Sequence, residues 1–205
     1  TTAVTVTFNV TVTDGDETPS ITDKTEESAK TLKTTVDNIT GNCVVSAEAS
    51  DGRTLVYTWK LGETTINGET DATLSLSSSG IDAAGEYTIT CEVTSETVST
   101  PVVVTFTVTV APEAPTWTDN SSEASVSGKT VTVKSSAQFE VGTYKLYIGE
   151  ATEPAGTVEL SQAGSELAFT NIENLTTDAT NFKITITVNS VESAPCEAVS
   201  ITPAS

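Results

Sequence analysis

The chain has 205 residues, 9 of them basic and 28 acidic, so its formal net charge is −19, and it contains no histidine and no methionine. A surface this acidic repels phosphate backbones, and no apolar run is long enough for a spanning helix, so we expect neither a nucleic-acid partner nor membrane insertion. Without histidine, Ser-His-Asp and Cys-His catalytic sites are excluded, and we predict a protein that is not an enzyme and has no catalytic residues.

The first thirteen residues have a second copy later in the chain. Residues 1–13 read TTAVTVTFNVTVT and residues 99–111 read STPVVVTFTVTVA, with eight identical positions of thirteen. Both alternate apolar and polar residues, which is typical of a half-buried strand. Because the later copy closes a domain, we expect residues 1–13 to be the last strand of a preceding domain. The alternative is a donor strand that completes a neighbouring subunit.

An acidic linker follows at residues 14–19, which read DGDETP. Its carboxylates Asp14, Asp16 and Glu17 are the candidate metal ligands, since oxygen ligands suit Ca²⁺. The rest of a calcium-binding loop is missing, and charged runs are usually solvated, so a solvated linker is favoured and we predict no bound metal or cofactor. A melting temperature that neither calcium nor a chelator changes would exclude the site.

Short β runs separated by turn residues make up the rest of the chain. In the first part, the predicted strands cover residues 43–49, 55–61, 72–77, 85–95 and 102–110. After a proline-containing linker at 111–115, they cover residues 124–134, 139–148, 157–160, 167–172, 182–188 and 197–202. Strands of this length and spacing predict an all-β chain of tandem β-sandwiches, one at 20–110 and one at 116–205.

The first sandwich carries a strand tryptophan, Trp59, and a later Gly85-Glu86-Tyr87. This combination resembles the immunoglobulin-like fold, which implies that a preceding domain, if residues 1–13 are its last strand, is of the same kind. It also implies structural roles: Trp59 fills the space between the sheets, Tyr87 fixes a corner, and Ile89 lies where antibodies place their second cysteine.

The three cysteines do not match the antibody pattern. Cys43 lies four residues before the expected position and Cys91 two residues after it, and six residues of offset correspond to about 20 Å along a strand. Because a disulfide requires Cα atoms within about 7 Å, we predict no bond between Cys43 and Cys91. An odd cysteine count also favours folding in a reducing compartment.

The second sandwich contains a different corner. A leucine, Leu175, precedes a turn, and Phe182 then opens a strand. This resembles the fibronectin type III corner, with phenylalanine in place of the usual tyrosine, so the hydroxyl hydrogen bond of that family is lost. The resemblance implies a core role for Phe182. We expect Cys196, which opens the final strand, to be a reduced and half-buried thiol.

Residues 54–93 also resemble the repeats of the highly immunogenic outer capsid protein of T-even-like phages. The shared features are Tyr57, Trp59, Gly68-Glu69-Thr70, Ser79-Gly80 and Cys91. This resemblance implies a decoration protein whose domains project from a capsid.

The function expected from these features is that of a structural and adhesive module on a phage virion, as capsid decoration or in the tail. It implies a location at the virion surface and weak attachment to other virion proteins, to copies of itself, or to cell-surface glycans or proteins. The alternative is a bacterial cell-surface adhesin or a pilus-like stalk, on the cell surface or secreted. A carbohydrate-binding module of a secreted enzyme is a third option, but the sequence shows no stripe of exposed aromatic residues.

Overall fold

The computed structural model describes residues 18–117, 124–173, 175 and 180–201. In these residues, seventeen β-strands and two short 3₁₀ turns are the regular elements. Threonine and valine are abundant, and their β-branched side chains favour a pleated sheet over a helix. The predicted all-β fold of tandem β-sandwiches is confirmed. No helix in the described part of the chain is long and apolar enough to cross a membrane.

The first sandwich consists of nine strands and the two 3₁₀ turns, Glu27–Lys30 and Leu76–Ser78. The strands are β1 (Ile21–Asp23), β2 (Thr31–Thr35), β3 (Asn42–Val44), β4 (Ala47–Ala49), β5 (Leu55–Leu61), β6 (Thr64–Thr65), β7 (Thr73–Ser75), β8 (Gly85–Ser95) and β9 (Val102–Ala111). One sheet has the order β2-β9-β8-β5-β6, and the short pairs β1-β4 and β3-β7 lie apart from it. Strand β2 runs parallel to β9, and the other pairs are antiparallel.

The core of the first sandwich is built around Trp59, which is fully buried. Its indole packs on Phe106 with ring centroids 5.7 Å apart, and its Nε1 donates a hydrogen bond of 2.8 Å to the carbonyl oxygen of Asp71. Burying a large side chain of this kind contributes about 1.5–3 kcal/mol. The indole therefore joins strand β5 to the loop before β7.

The second sandwich has eight strands. They are β10 (Ala124–Ser127), β11 (Thr130–Phe139), β12 (Gly142–Ile148), β13 (Gly156–Leu160), β14 (Gly164–Phe169), β15 (Thr180–Val188), β16 (Val191–Glu192) and β17 (Val199–Ile201). One sheet has the order β10-β11-β14, and the other has the order β13-β12-β15-β16, with β17 also paired to β15. The two sheets enclose a separate core that includes Phe169, Phe182 and Leu146, all fully buried.

Several predicted strand limits are wrong. The strand predicted at 43–49 is interrupted at Val45 and Ser46, because its two halves pair with different strands, β7 and β1. The strand predicted at 124–134 is a hairpin that turns at Gly128, whose φ of +56° suits glycine. Phe139 ends β11 instead of opening the next strand.

Cys43 and Cys91 form no disulfide, as predicted, although both belong to the same core. Both thiols are fully buried there, and burial, with a smaller contribution from the charge of Cys43, raises the pKa of Cys91. The interruption after β3 changes the register on which the estimate of about 20 Å depended. Cys196 is buried instead of half-buried, and its sulfur accepts hydrogen bonds from the Trp117 indole at 2.9 Å and the Ile184 amide at 3.1 Å.

Candidate binding surfaces

The outer face of the large sheet in the first sandwich is lined with threonines. Side chains alternate between the two faces of a strand, so residues whose neighbours are buried point outward. On β8 and β9 the buried residues include Ile89 and Phe106, and the side chains between them face solvent. With those of β5, they form a surface here called the threonine face: Thr58, Thr88, Thr90, Thr94, Thr105, Thr107 and Thr109.

Strand register places these hydroxyls next to one another. Thr90 is opposite Thr105, and Thr88 is opposite Thr107, which in turn is opposite Thr31 of β2. Threonine pairs across strands stabilise a sheet modestly, and strand propensity alone accounts for single exposed threonines. Their clustering adds a regular array of groups that both donate and accept hydrogen bonds. Such an array suits a partner rich in hydroxyl or amide groups.

One end of the threonine face combines charge and apolar surface. Lys60 and Glu92 form an ion pair with Nζ and Oε1 2.5 Å apart, and each side chain is about 30% exposed. Val103 is directly opposite Glu92 and Val56 is opposite Thr94, the next outward residue of β8, and the two valines are 51% and 53% exposed. Scattered exposed valines are common, but two beside a neutralised pair form a small patch that a partner can cover without burying an unpaired charge.

A second surface lies on the second sandwich, where a groove of about 350 Å³ borders the end of β12. Its lining includes Tyr147, Lys183, Thr185 and Glu192. Glu192 organises the polar side, since its carboxylate accepts hydrogen bonds from Lys145 at 2.5 Å, Thr185 at 2.6 Å and Tyr147 at 2.9 Å. Lys183 forms an ion pair with Glu150, whose side chain is 92% exposed while that of Lys183 is 27% exposed, so solvent weakens the pair.

Charge and burial shift the pKa values within this groove. Burial raises the pKa of Glu192, but hydrogen bonds from Lys145, Thr185 and Tyr147 outweigh it, and the net pKa is lowered from 4.5. The hydrogen bond to Glu192 raises the pKa of Lys145, and burial followed by the bond to Glu192 raises that of Tyr147. The carboxylate is therefore held ionised, with its hydrogen-bonding capacity directed into the protein.

We expect Glu192→Gln to reduce the free energy of unfolding by about 1 kcal/mol at pH 7. The loss is modest because the Lys145–Glu192 ion pair is partly exposed and solvent weakens it. A lowered carboxyl pKa stabilises the fold above the unfolded value of 4.5, and this contribution is lost as the pH falls through the folded pKa. Urea unfolding between pH 6 and pH 3 should therefore show a smaller acid loss in the variant than in the wild type.

The matched control is Glu173→Gln, because Glu173 pairs with Lys129 across 3.1 Å while both side chains are more than 60% exposed. It should change stability by less than about 0.5 kcal/mol. Equal acid dependence in the wild type and Glu192→Gln would contradict the assigned role of Glu192.

Of the four residues for which the sequence indicates a structural role, three are fully buried: Trp59, Ile89 and Phe182. Tyr87 is half-buried against the first core, and its hydroxyl donates a hydrogen bond of 2.9 Å to the carbonyl of Ala83.

The candidate metal ligands Asp14, Asp16 and Glu17 lie outside the described residues, as does the strand predicted at 1–13. Within the described residues, no group of three or more acidic or cysteine side chains could hold a metal ion.

Sequence reasoning missed a second tyrosine contact of the same kind. The Tyr144 hydroxyl donates to the carbonyl of Glu140, four residues earlier, at 2.9 Å, as Tyr87 does to Ala83. Burial raises the pKa of Tyr144 to about 12. Both tyrosines stand two residues after a glycine that opens a strand, Gly85 or Gly142, so the repeated Gly-x-Tyr was the available signal.

The comparisons with known proteins yield structural similarities alone. No protein-family model matches the chain, and no curated protein matches it. Among solved structures, it is similar to Sidekick-1 immunoglobulin domains 1–4, with 13% identity and a TM-score of 0.45 over 93% of this chain and 51% of that one. It is also similar to three N-terminal domains of the bacteriophage RB49 highly immunogenic outer capsid protein, with 13% identity and a TM-score of 0.38 over 91% and 70% of the two chains.

A third similarity is to the BSP domain of a biofilm-associated protein, with 16% identity and a TM-score of 0.35 over 87% of this chain and 31% of that one. The chain thus spans about a third of that structure and about half of the Sidekick-1 structure. The fold class follows from the strands and cores of the chain itself, and these similarities assign no function to it.

Proposed function

We propose that this chain is a non-enzymatic structural and adhesive module, displayed on the surface of a phage virion, that makes weak contacts through the threonine face. The observation that carries the proposal is this face, in which hydroxyls lie opposite one another across β8 and β9 beside the exposed Val56 and Val103. A flat array without a deep cavity favours low affinity per copy, which many copies on one particle compensate by avidity.

The charge of the chain supports display in a dense array. A net charge of −19 on 205 residues makes neighbouring copies repel one another and keeps them soluble. The three buried free thiols support folding in a reducing compartment, as in a cell that assembles virions internally. The partners that fit the face are hydroxyl- or amide-rich: cell-surface glycans or proteins, or other virion proteins.

The location is tested by finding where the native protein resides. Gradient-purified virions and cell-envelope fractions from the same source culture are digested and searched for peptides of this chain by mass spectrometry. The proposal expects the peptides to co-migrate with intact virions. Peptides confined to the envelope fraction would contradict it and support a bacterial adhesin or pilus-like stalk.

The adhesive face is tested separately with Thr107→Arg, which places a large cation in the middle of the array. Beads carrying many copies of the variant should bind host cells at least about fivefold less than wild-type beads, since avidity multiplies a small loss at each site. The control is Thr157→Arg, an equal change at an exposed strand threonine of the second sandwich. Equal binding by all three proteins would exclude the threonine face as the adhesive surface.

A further inference from the structure

A tight turn at the end of the second sandwich touches the first sandwich. Strands β15 and β16 form a hairpin in which Val188 is opposite Val191, so the loop has only two residues, Asn189 and Ser190. Their φ angles are +48° and +67°, the left-handed pair of a type I′ turn. Asparagine tolerates this conformation well, and the rigid turn fixes the direction of its side chain.

The Asn189 side chain extends from this turn to the first sandwich and contacts it. Its Nδ2 donates a hydrogen bond of 3.0 Å to the carbonyl oxygen of Ala84, just before strand β8. Strand β16 also lies against β9 of the first sandwich. Ala84 and Val191 are only 6% and 8% exposed, yet neither belongs to the core of its own sandwich. Their burial is therefore explained by the contact between the two sandwiches.

The linker between the sandwiches is held at both ends. On the first side, Ala111 continues β9, and its carbonyl accepts a hydrogen bond of 3.0 Å from the Val36 amide. On the second side, Pro115 is buried and lies beside Phe139 and Tyr144. Pro112 is buried as well, and each proline fixes its own φ, which reduces the rotational freedom of the linker.

From these contacts we propose that the two sandwiches are docked at a fixed angle, and that Asn189 is the residue that holds them there. The turn at Asn189 and Ser190 acts as the contact point, Ala84 and Val191 form its apolar part, and the anchored linker restrains the approach. A fixed angle sets where the threonine face lies relative to the groove of the second sandwich. The inference goes beyond the proposed function and does not depend on it, since a rigid pair can exist whether or not either surface binds a partner.

The decisive experiment compares the alignment of the two sandwiches in solution, using amide residual dipolar couplings of the intact chain in a weakly aligning medium. In a fixed arrangement, both sandwiches of the wild type give the same alignment tensor. Asn189→Asp keeps the shape and the turn preference but removes the donor and sets a carboxylate against the Ala84 carbonyl. We expect the ratio of docked to undocked forms to fall about tenfold, and the two tensors to become unequal in magnitude.

The matched control is Asn171→Asp, which makes the same charge change at another left-handed asparagine, φ +59°, with an exposed side chain. Its tensors should stay equal. Unchanged amide shifts of the core strands show that a variant is folded, whatever its tensors are. Unequal tensors in the wild type would overturn the fixed angle. Equal tensors in Asn189→Asp would overturn the role of Asn189.

Discussion

Trp59→Ala should destabilise the first sandwich by about 3–5 kcal/mol, because it empties the largest fully buried site in that core. The change removes the contact with the Phe106 ring and leaves the Asp71 carbonyl without its hydrogen-bond donor. Both losses add to the cost of the cavity. A loss of this size is a large part of the stability of an ordinary domain, so the first sandwich should unfold at much lower urea concentration.

The two tryptophans allow the effect to be located. In Trp59→Ala the remaining tryptophan is Trp117, which is buried in the second sandwich. Circular dichroism should therefore show an early transition for the first sandwich, while Trp117 fluorescence keeps a midpoint close to that of the wild type. Val56→Ala on the same strand, where the side chain is 53% exposed, is the control and should cost less than about 0.5 kcal/mol. A single unshifted transition in Trp59→Ala would contradict the assigned role of the indole.

Strand periodicity made much of the fold predictable. Alternation over residues 85–95 and 102–110 matches β8 and β9 closely, because both are long strands with one buried and one exposed face. The strand tryptophan and the Gly-x-Tyr located Trp59 and Tyr87 in the first sandwich. Strands β1 and β2 were missed, since one has only three residues and the other, TLKTT, has a single large apolar side chain.

The features that depend on tertiary contacts could not be predicted. The threonine face exists because register brings together threonines from three strands far apart in sequence, and register is set by pairing that one chain does not reveal. The groove at Tyr147 requires Glu192 from a two-residue strand 45 positions away. Asn189 resembles any turn asparagine in the sequence, and its contact with Ala84 spans 105 positions.

The three cysteines should be unreactive in the native protein and all available after unfolding. Cys43, Cys91 and Cys196 are free and buried. Burial raises the pKa of Cys43 and of Cys91 from 9.0 to about 12, and burial also raises that of Cys196. The thiolate is the reactive form, so at pH 8 a shift of this size reduces its population about a thousandfold, before steric exclusion of the reagent is counted.

An aromatic disulfide reagent at pH 8 should therefore label none of the three thiols within minutes in buffer and all three in concentrated urea. Thr107→Cys, which places one thiol on the exposed threonine face, is the control and should add one fast-reacting group. Fewer than three thiols in urea would reveal a disulfide, and one fast native thiol would show that a core is open.

The raised pKa values of the buried thiols also make the stability of the fold depend on pH. The thiols of Cys43 and Cys91 are protonated in the folded protein below pH 9, and there their raised pKa values contribute fully to stability. This contribution is lost as the pH rises toward 12, because the thiols of the unfolded chain release their protons at lower pH. The free energy of unfolding should accordingly fall across that range, and the fall should be smaller in Cys43→Ala, which has one of the two groups removed.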